Sequence, residues 1–176
     1  MIVDSEHGTI DSPLHPDQVE LIPTVPEALA QLTRAGYGLV VVTNQPAFAK
    51  GKTTQKNLEK VHARVLQLAE AAGGRILSSH ICYHRQEDHC PCRKPRTGLL
   101  EEAFKQHASY SRKDSWMVGD GIADIQAGRS FGLQTALLAT YKLETANLLQ
   151  EKNAAPTLWA DDLLNFCHKI LKPREV

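Results

Sequence analysis

The sequence predicts an α/β fold, with a single Rossmann-like parallel sheet and helices on both of its faces. Strand-like apolar segments alternate with helix-like segments along the chain, and this order requires crossover connections and parallel strands. One segment, residues 37–42 (YGLVVV), is a continuous β-branched run, which is typical of a strand buried on both faces. The length of 176 residues fits one domain over residues 1–176, with its own hydrophobic core.

The chain is expected to begin with a short strand, a loop and a helix. Residues 1–3 are apolar and can open a strand, whereas residues 11–23 are rich in Pro, Asp and His and indicate a loop. A helix is predicted over residues 26–35, because Pro26 suits a first helical turn and Gly36 can end it.

A long helix and another strand follow residues 37–42. The helix is predicted over residues 53–72, because its apolar side chains recur at helical spacing: Leu58, Val61, Val65, Leu66 and Leu68. The strand is predicted over residues 75–82, and a loop dense in His and Cys, about residues 82–92, comes directly after it.

The second half of the chain continues the alternation. We expect helices over residues 99–107, 122–131 and 161–171, and strands over residues 116–118 and 134–139. Cys167 stands apart from the other cysteines and is expected to be a core or surface thiol. Parallel sheets bind ligands at the carboxyl ends of their strands, so the polar motifs that follow the predicted strands are candidate site residues.

Charge and composition argue against two classes of partner. Twenty basic and twenty acidic residues balance, with no basic block, which disfavours a nucleic-acid or membrane-surface binder that works by bulk charge. No apolar run approaches the roughly 18 residues of a membrane span. The first residues, MIVDSEHGTI, show no signal-peptide pattern, so the expected location is the cytoplasm.

Three of the four cysteines lie close together and beside histidines. Cys82 and His84 form a C-x-H pair, and after five residues Cys90 and Cys92 form a C-x-C pair. Three thiolates and one imidazole are the ligand set of a closed, tetrahedral, structural Zn²⁺ site. The spacing predicts such a site in this polar loop, with His89 as the alternative to His84 for the fourth ligand.

Two further motifs carry groups that bind phosphate. Thr43, Asn44 and Gln45 follow the strand 37–42, where a hydroxyl and an amide can hydrogen-bond a phosphate, although a polar turn that closes the strand is the alternative. Arg93 and Lys94 follow the metal-like loop and can neutralise phosphate oxygens, or else remain solvated surface cations.

A Gly-Asp turn follows the predicted strand 116–118. Asp120 would stand at the strand tip, where a carboxylate is a suitable Mg²⁺ ligand. Asp124 opens the next helix, and its expected role is only to complement the helix dipole.

The order of these motifs resembles the haloacid dehalogenase superfamily of phosphatases. A Gly8-Thr9 turn, the TNQ segment, the C-x-H…C-x-C-R-K-P loop and the GDxxxD segment follow one another over about residues 3–139. Within the superfamily, the chain is similar to the D-glycero-D-manno-heptose 1,7-bisphosphate 7-phosphatase and histidinol-phosphate phosphatase family. The resemblance implies hydrolysis of a phosphomonoester of a small phosphorylated sugar or a related metabolite.

The resemblance also implies roles for individual residues. Thr43 and Asn44 would contact phosphate and substrate. Arg93 and Lys94 would be phosphate-binding cations, and Asp120 would be a Mg²⁺ ligand.

The first motif departs from the family pattern. In a D-x-D-G-T motif the first Asp attacks phosphorus and the second acts as acid and base, but alignment on Gly8-Thr9 places Ser5 and His7 at these two positions. The change removes an anionic ligand from the Mg²⁺ site, which is then weakened. Ser5 is also a poor nucleophile unless a base or a metal activates it.

Three interpretations of this departure remain open. Asp4 and Glu6 keep the two-residue spacing, but they need an insertion before the glycine and a bulge at the strand tip. Ser5 and His7 share one face of the strand end and could support a serine nucleophile or a histidine-centred transfer. Alternatively, the chain is a catalytically inactive member that binds phosphorylated ligands or a protein partner, which the sequence does not name.

Overall fold

A computed structural model of the protein describes residues 12–138 and 154–171. The chain divides into two compact units, Met1–His89 and Cys90–Val176, and each unit contains parallel strands and helices. The α/β class with parallel pairing is therefore confirmed, whereas the single-domain organisation stays a prediction. The strand predicted over residues 1–3 lies outside the described residues.

In the first unit, residues 12–89 form two helices and two strands. Helix α1 spans Val25–Arg34, strand β1 Leu39–Asn44, helix α2 Gln55–Ala71 and strand β2 Ile76–Cys82. Short 3-10 turns at Pro16–Gln18 and Gln86–Asp88 lie in the segments predicted as loops. The two strands are parallel and pair Asn44 with Cys82, so both end at the same edge of their sheet.

Local interactions explain where these elements start and stop. Gly36 adopts a φ of 86° after helix α1, and the Tyr37 amide donates to the Leu32 carbonyl at 3.0 Å, which together close the helix. Helix α2 begins two residues later than predicted, because the Thr54 hydroxyl accepts a hydrogen bond from the Asn57 amide at 3.1 Å and caps the helix.

The burial expected for strand β1 is wrong. A strand covered on both faces was predicted, but no residue of β1 is fully buried: five are partly buried and Val40 is 36% exposed. Among the described residues, β2 is the one strand that pairs with β1. A β-branched run therefore reports strand propensity here rather than burial on two faces.

The described residues of the second unit form three helices and a three-stranded sheet. Their bounds are α3 Gly98–Gln106, β3 Trp116–Gly119, α4 Ile122–Phe131, β4 Gln134–Leu138, β5 Leu158–Ala160 and α5 Leu163–Ile170. The strands are parallel in the order β3-β4-β5. Helix α4 packs closely on this sheet, since a Cβ at Gly128 would lie 2.7 Å from both the Met117 Cβ and the Thr135 Cγ2.

The second unit confirms most of the predicted elements. Helix α4 covers the predicted residues 122–131, and β4 covers residues 134–138 of the predicted 134–139, with residue 139 outside the described part of the chain. Helix α5 begins at Leu163 rather than at residue 161, because the Asp162 carboxylate caps it by accepting from the Asn165 amide at 2.7 Å. Strand β5 was not predicted, since its three residues are too few for a periodic signal.

No helix in residues 12–138 and 154–171 has the length and apolar character needed to cross a membrane.

Candidate functional site

The polar motif of the first unit is built into the end of strand β1. Thr43 and Asn44 are the last two residues of the strand, rather than a turn that follows it. The Gln45 amide donates to the Cys82 carbonyl at 2.7 Å, and the Gln45 Nε2 donates to the Thr43 Oγ1 at 3.2 Å. These bonds hold the Thr43 hydroxyl and the Gln45 side-chain amide at the carboxyl edge of the β1–β2 sheet, where parallel sheets bind ligands.

The second unit places Lys94 in a protected ion pair. The Lys94 Nζ lies 2.7 Å from the Asp124 Oδ1, and the two side chains are only 10% and 12% exposed. The Asp124 Oδ2 also accepts from the Gly121 amide at 3.1 Å, so both carboxylate oxygens are engaged. Removing one partner of a buried pair costs about 3–5 kcal/mol, because the other charge is left uncompensated. Lys94 is therefore not the solvated surface cation of the alternative interpretation.

The role of Asp124 corrects a sequence expectation. Its carboxylate holds Lys94, whereas only a dipole-complementing role was expected. This arrangement requires a glycine at position 119. A Cβ there would lie 2.5 Å from the Asp124 Cβ and closer still to its carboxylate. The available signal was the GDxxxD spacing, which puts the second carboxylate in the first turn of helix α4, back over the end of strand β3.

Asp120 is the first residue after strand β3 and is partly buried. A carboxylate at a strand end suits Mg²⁺, which is held by one or two carboxylates together with substrate phosphates. Asp124 is engaged by Lys94 and by the Gly121 amide, so its carboxylate already has two partners. The donor chemistry fits Mg²⁺, with the remaining ligands to come from elsewhere in the chain or from phosphate.

The predicted catalytic positions Ser5 and His7, and their alternatives Asp4 and Glu6, lie outside the described residues. Arg93 is partly buried and directly precedes the paired Lys94, and its phosphate-binding role stays a prediction.

The cysteine-rich loop gathers four metal-binding side chains. The ligand atoms of Cys82, His84, Cys90 and Cys92 all lie within 4.8 Å of one another, and no disulfide joins these thiols. The group contains His84, the first choice for the fourth ligand, and not the alternative His89.

The spacing of these atoms suits a tetrahedral site. The Cys82 Sγ lies 3.6 Å from the His84 Nδ1, and the Cys90 Sγ lies 3.4 Å from the Cys92 Sγ. Zinc bond lengths give tetrahedral edges of about 3.6 Å between S and N and about 3.8 Å between two S atoms. The four residues therefore fit Zn²⁺ in type and in separation.

Cys167 is the core thiol of the two alternatives. It lies in helix α5 with no exposed surface, and burial raises the pKa of its thiol to about 11. The thiol is therefore protonated at neutral pH and has little nucleophilic character.

Comparisons with known proteins find similar sequences and structures. Residues 91–166 match a hydrolase-like family described as HAD-hydrolase-like. The D-glycero-beta-D-manno-heptose-1,7-bisphosphate 7-phosphatase of Neisseria meningitidis serogroup A is 35% identical over 148 residues, which are 83% of this chain and 78% of that protein. The protein of the same name from Pseudomonas aeruginosa is 37% identical over 151 residues, 86% of this chain and 83% of that protein.

A solved structure supports the same relationship. The D,D-heptose 1,7-bisphosphate phosphatase from B. bronchiseptica, crystallised with magnesium and phosphate, superposes with a TM-score of 0.79 at 26% identity. The match covers 90% of this chain and 87% of that one. With more than a third of its aligned residues shared over most of both lengths, this chain belongs to the D-glycero-D-manno-heptose 1,7-bisphosphate 7-phosphatase family of haloacid dehalogenase-like hydrolases.

Proposed function

We propose that the chain hydrolyses a phosphomonoester of a small phosphorylated sugar of the heptose bisphosphate type, or of a related metabolite, in the cytoplasm. The observation that carries the proposal is the protected Lys94–Asp124 ion pair. A lysine held by a carboxylate beside a strand end is a preorganised cation, and preorganised charge is the main source of catalysis in phosphoryl transfer. The family relationship supplies the substrate class.

The proposal gives a role to each predicted phosphate-binding residue. Thr43, Asn44 and Gln45 bind phosphate and substrate through a hydroxyl and two amides. Arg93 and Lys94 neutralise phosphate oxygens, with Arg93 able to bind in a bidentate manner. Because Asp124 fixes Lys94, little side-chain entropy is lost when phosphate binds.

Asp120 is the residue that would hold Mg²⁺. When bound, the ion would polarise a phosphoryl oxygen and neutralise the negative charge that develops on it. Asp4 or Glu6 would supply the second carboxylate if the first motif contains a one-residue insertion.

We assign Cys82, His84, Cys90 and Cys92 to a structural Zn²⁺ site. Four protein ligands close the tetrahedral shell, so such an ion has no open position for water or substrate. Its role is to hold the loop that leads into Arg93 and Lys94.

A second candidate function is favoured by one observation. Ser5 and His7 stand where the family motif has its two carboxylates, which removes the usual nucleophile and its acid-base partner. A chain with this change and intact phosphate-binding residues would bind phosphorylated ligands without hydrolysing them.

One pair of measurements on the same protein separates the two functions. Phosphate release is followed with a panel of sugar monophosphates and bisphosphates in Mg²⁺, and binding of each compound is followed by calorimetry. Release with saturable binding supports the phosphatase, and binding without release supports the inactive member. Neither binding nor release from the whole panel would contradict both.

A further inference from the structure

The segment from Cys90 to Gly98 is closed on itself by hydrogen bonds to main-chain carbonyls. The Arg96 Nη1 donates to the Cys90 carbonyl at 3.0 Å, and the Arg96 amide donates to the Arg93 carbonyl at 2.9 Å. The Gly98 amide donates to the Pro91 carbonyl at 3.2 Å. Two consecutive carbonyls of the C-P-C segment are thus held by residues that ligate no metal themselves.

Gly98 allows the start of helix α3 to lie close to the main chain of Pro91 and Cys92. A Cβ at Gly98 would lie 2.7 Å from the Pro91 carbonyl oxygen and 3.0 Å from the Cys92 Cα. Real Cβ atoms do not come as close as 2.7 Å to a carbonyl oxygen, so the start of helix α3 can lie against the Pro91 carbonyl, beside Cys92, only because residue 98 has no side chain.

Charge favours an arginine at this place. Three thiolates and a neutral imidazole around Zn²⁺ carry a net charge of −1. The Arg96 guanidinium, bonded to the carbonyl of a ligating residue, brings a positive charge to that anionic centre without offering a competing ligand.

We propose that Arg96 and Gly98 are positioning residues of the zinc site, which fix the main chain of Cys90 and Cys92 so that the two thiolates point at one ion. This inference rests on the zinc assignment above and goes beyond the phosphatase function. Outer-shell hydrogen bonds orient metal ligands, and their loss typically lowers metal affinity 10–100-fold. The two residues are expected to slow the loss of zinc rather than to stabilise the fold.

The test measures zinc release from the purified full chain to a chromogenic chelator in excess. Arg96→Ala should release zinc about 10–100-fold faster than the parent. Arg64→Ala is the matched control, because the Arg64 guanidinium donates to a side chain of its own helix, the Gln67 Oε1 at 2.8 Å, and Arg64 is not part of the Cys/His cluster. The control should release zinc at the parental rate.

Measuring zinc release at high salt distinguishes the positioning effect of Arg96 from the effect of its charge alone. At 1 M salt the Debye length is about 3 Å, so an exposed guanidinium acts on the cluster mainly through its hydrogen bond. The faster release from Arg96→Ala should persist at 1 M NaCl. A difference that disappears in salt would overturn the positioning role.

Gly98→Ala should affect two measurements differently: the resistance of the zinc-free protein to urea and the rate of zinc release. In the zinc-free protein no metal holds the Cys90–Cys92 segment against helix α3, so the segment can move away from the new methyl. Because alanine favours a helix over glycine, the zinc-free variant should then resist urea at least as well as the zinc-free parent. The new methyl should nevertheless displace Cys92, speed zinc release and alter the d–d absorption bands of the Co²⁺-substituted protein.

The outcomes distinguish this inference from the zinc assignment. A parent that contains no zinc would overturn both. A parent with one zinc, whose Arg96→Ala and Gly98→Ala variants keep the parental release rate and Co²⁺ spectrum, would overturn the positioning role alone.

Discussion

At the end of strand β3, the Asp124 carboxylate fixes the position of the Lys94 side chain. Its carboxylate holds the Lys94 ammonium at 2.7 Å and accepts from the Gly121 amide, so the lysine has a fixed position before any ligand arrives. A phosphate at this place would find a cation already desolvated and oriented, which strengthens its interaction relative to a surface lysine.

Substitution of Gly119 tests whether this carboxylate is positioned by contact. Gly119→Ala would place a methyl 2.5 Å from the Asp124 Cβ, so the carboxylate must move away from Lys94. We expect the free energy of unfolding, from urea titration, to fall by about 1–3 kcal/mol, as for other overpacked sites. Gly121→Ala is the control, since its Cβ would lie 3.3 Å from the Asp124 Oδ2 and needs only a small adjustment. Equal stability of the parent and Gly119→Ala would contradict the assigned packing.

Cys167 should be chemically inert in the folded protein. Because burial raises the pKa of its thiol to about 11, less than about 1% is thiolate at pH 8, and the side chain has no exposed surface. Mass spectrometry after iodoacetamide treatment at pH 8 should find Cys167 unmodified in native protein and modified in urea. Rapid alkylation of the native protein would show that helix α5 does not bury this residue.

At the scale of elements, helix α2 is joined to strand β2 by a polar contact. The His62 Nε2 and the Ser79 Oγ form a hydrogen bond between the two, and burial lowers the pKa of the imidazole below its ordinary value of 6.5. As pH falls, the unfolded chain therefore binds a proton at His62 at a higher pH than the folded chain does.

This difference predicts a loss of stability in acid. As pH falls below 6.5, the free energy of unfolding should decrease until the folded pKa is passed, and it should be constant for this residue above about pH 7.5. His62→Gln should show a smaller decrease between pH 7.5 and pH 5.5 in urea titrations. His168→Gln, at an exposed position of helix α5, should follow the parent. Identical slopes for the parent and His62→Gln would rule out this contribution.

Local sequence signals predicted the elements well, and long-range contacts explain what they missed. Helix α4 was predicted residue by residue because its apolar spacing and Gly132, which has a φ of 84°, mark both face and end. The start of helix α2 was predicted too early, with Thr54 inside the helix. Thr54 is the N-cap, and this boundary is set by the hydrogen bond that its hydroxyl accepts rather than by composition. The pairing of Lys94 with Asp124 joins residues thirty positions apart, and periodicity carries no information on such contacts.

At the scale of the whole molecule, the family relationship favours an active phosphatase, whereas the first motif favours an inactive member. The zinc-type cluster, the strand-end polar groups and Asp120 are what the resemblance to the family leads us to expect, whereas alignment on Gly8-Thr9 puts Ser5 and His7 where two carboxylates are expected. The four-ligand cluster was predictable because a C-x-H…C-x-C pattern is both local and rare. The catalytic positions depend on an alignment of a few residues that lie outside the described part of the chain.

Restoring the motif tests this alignment. Ser5→Asp combined with His7→Asp should rebuild D-x-D-G-T and provide an anionic Mg²⁺ ligand and a general acid, the latter worth about 10²–10⁴-fold in rate. The double variant should release phosphate faster than the parent in Mg²⁺. A double variant slower than an active parent would indicate that Asp4 and Glu6, or the native Ser5 and His7, carry the chemistry.

The most direct test of the phosphatase proposal is phosphate release from D-glycero-D-manno-heptose 1,7-bisphosphate by the parent and by Asp120→Asn, with the released position assigned by phosphorus NMR. The parent should remove one phosphate from the sugar in a Mg²⁺-dependent reaction. Asp120→Asn should be slower by about 100-fold or more, since a group that stabilises transition-state charge is worth about 10²–10³ in rate. A parent that binds the sugar bisphosphate and releases no phosphate, or an Asp120→Asn variant as fast as the parent, would contradict the account.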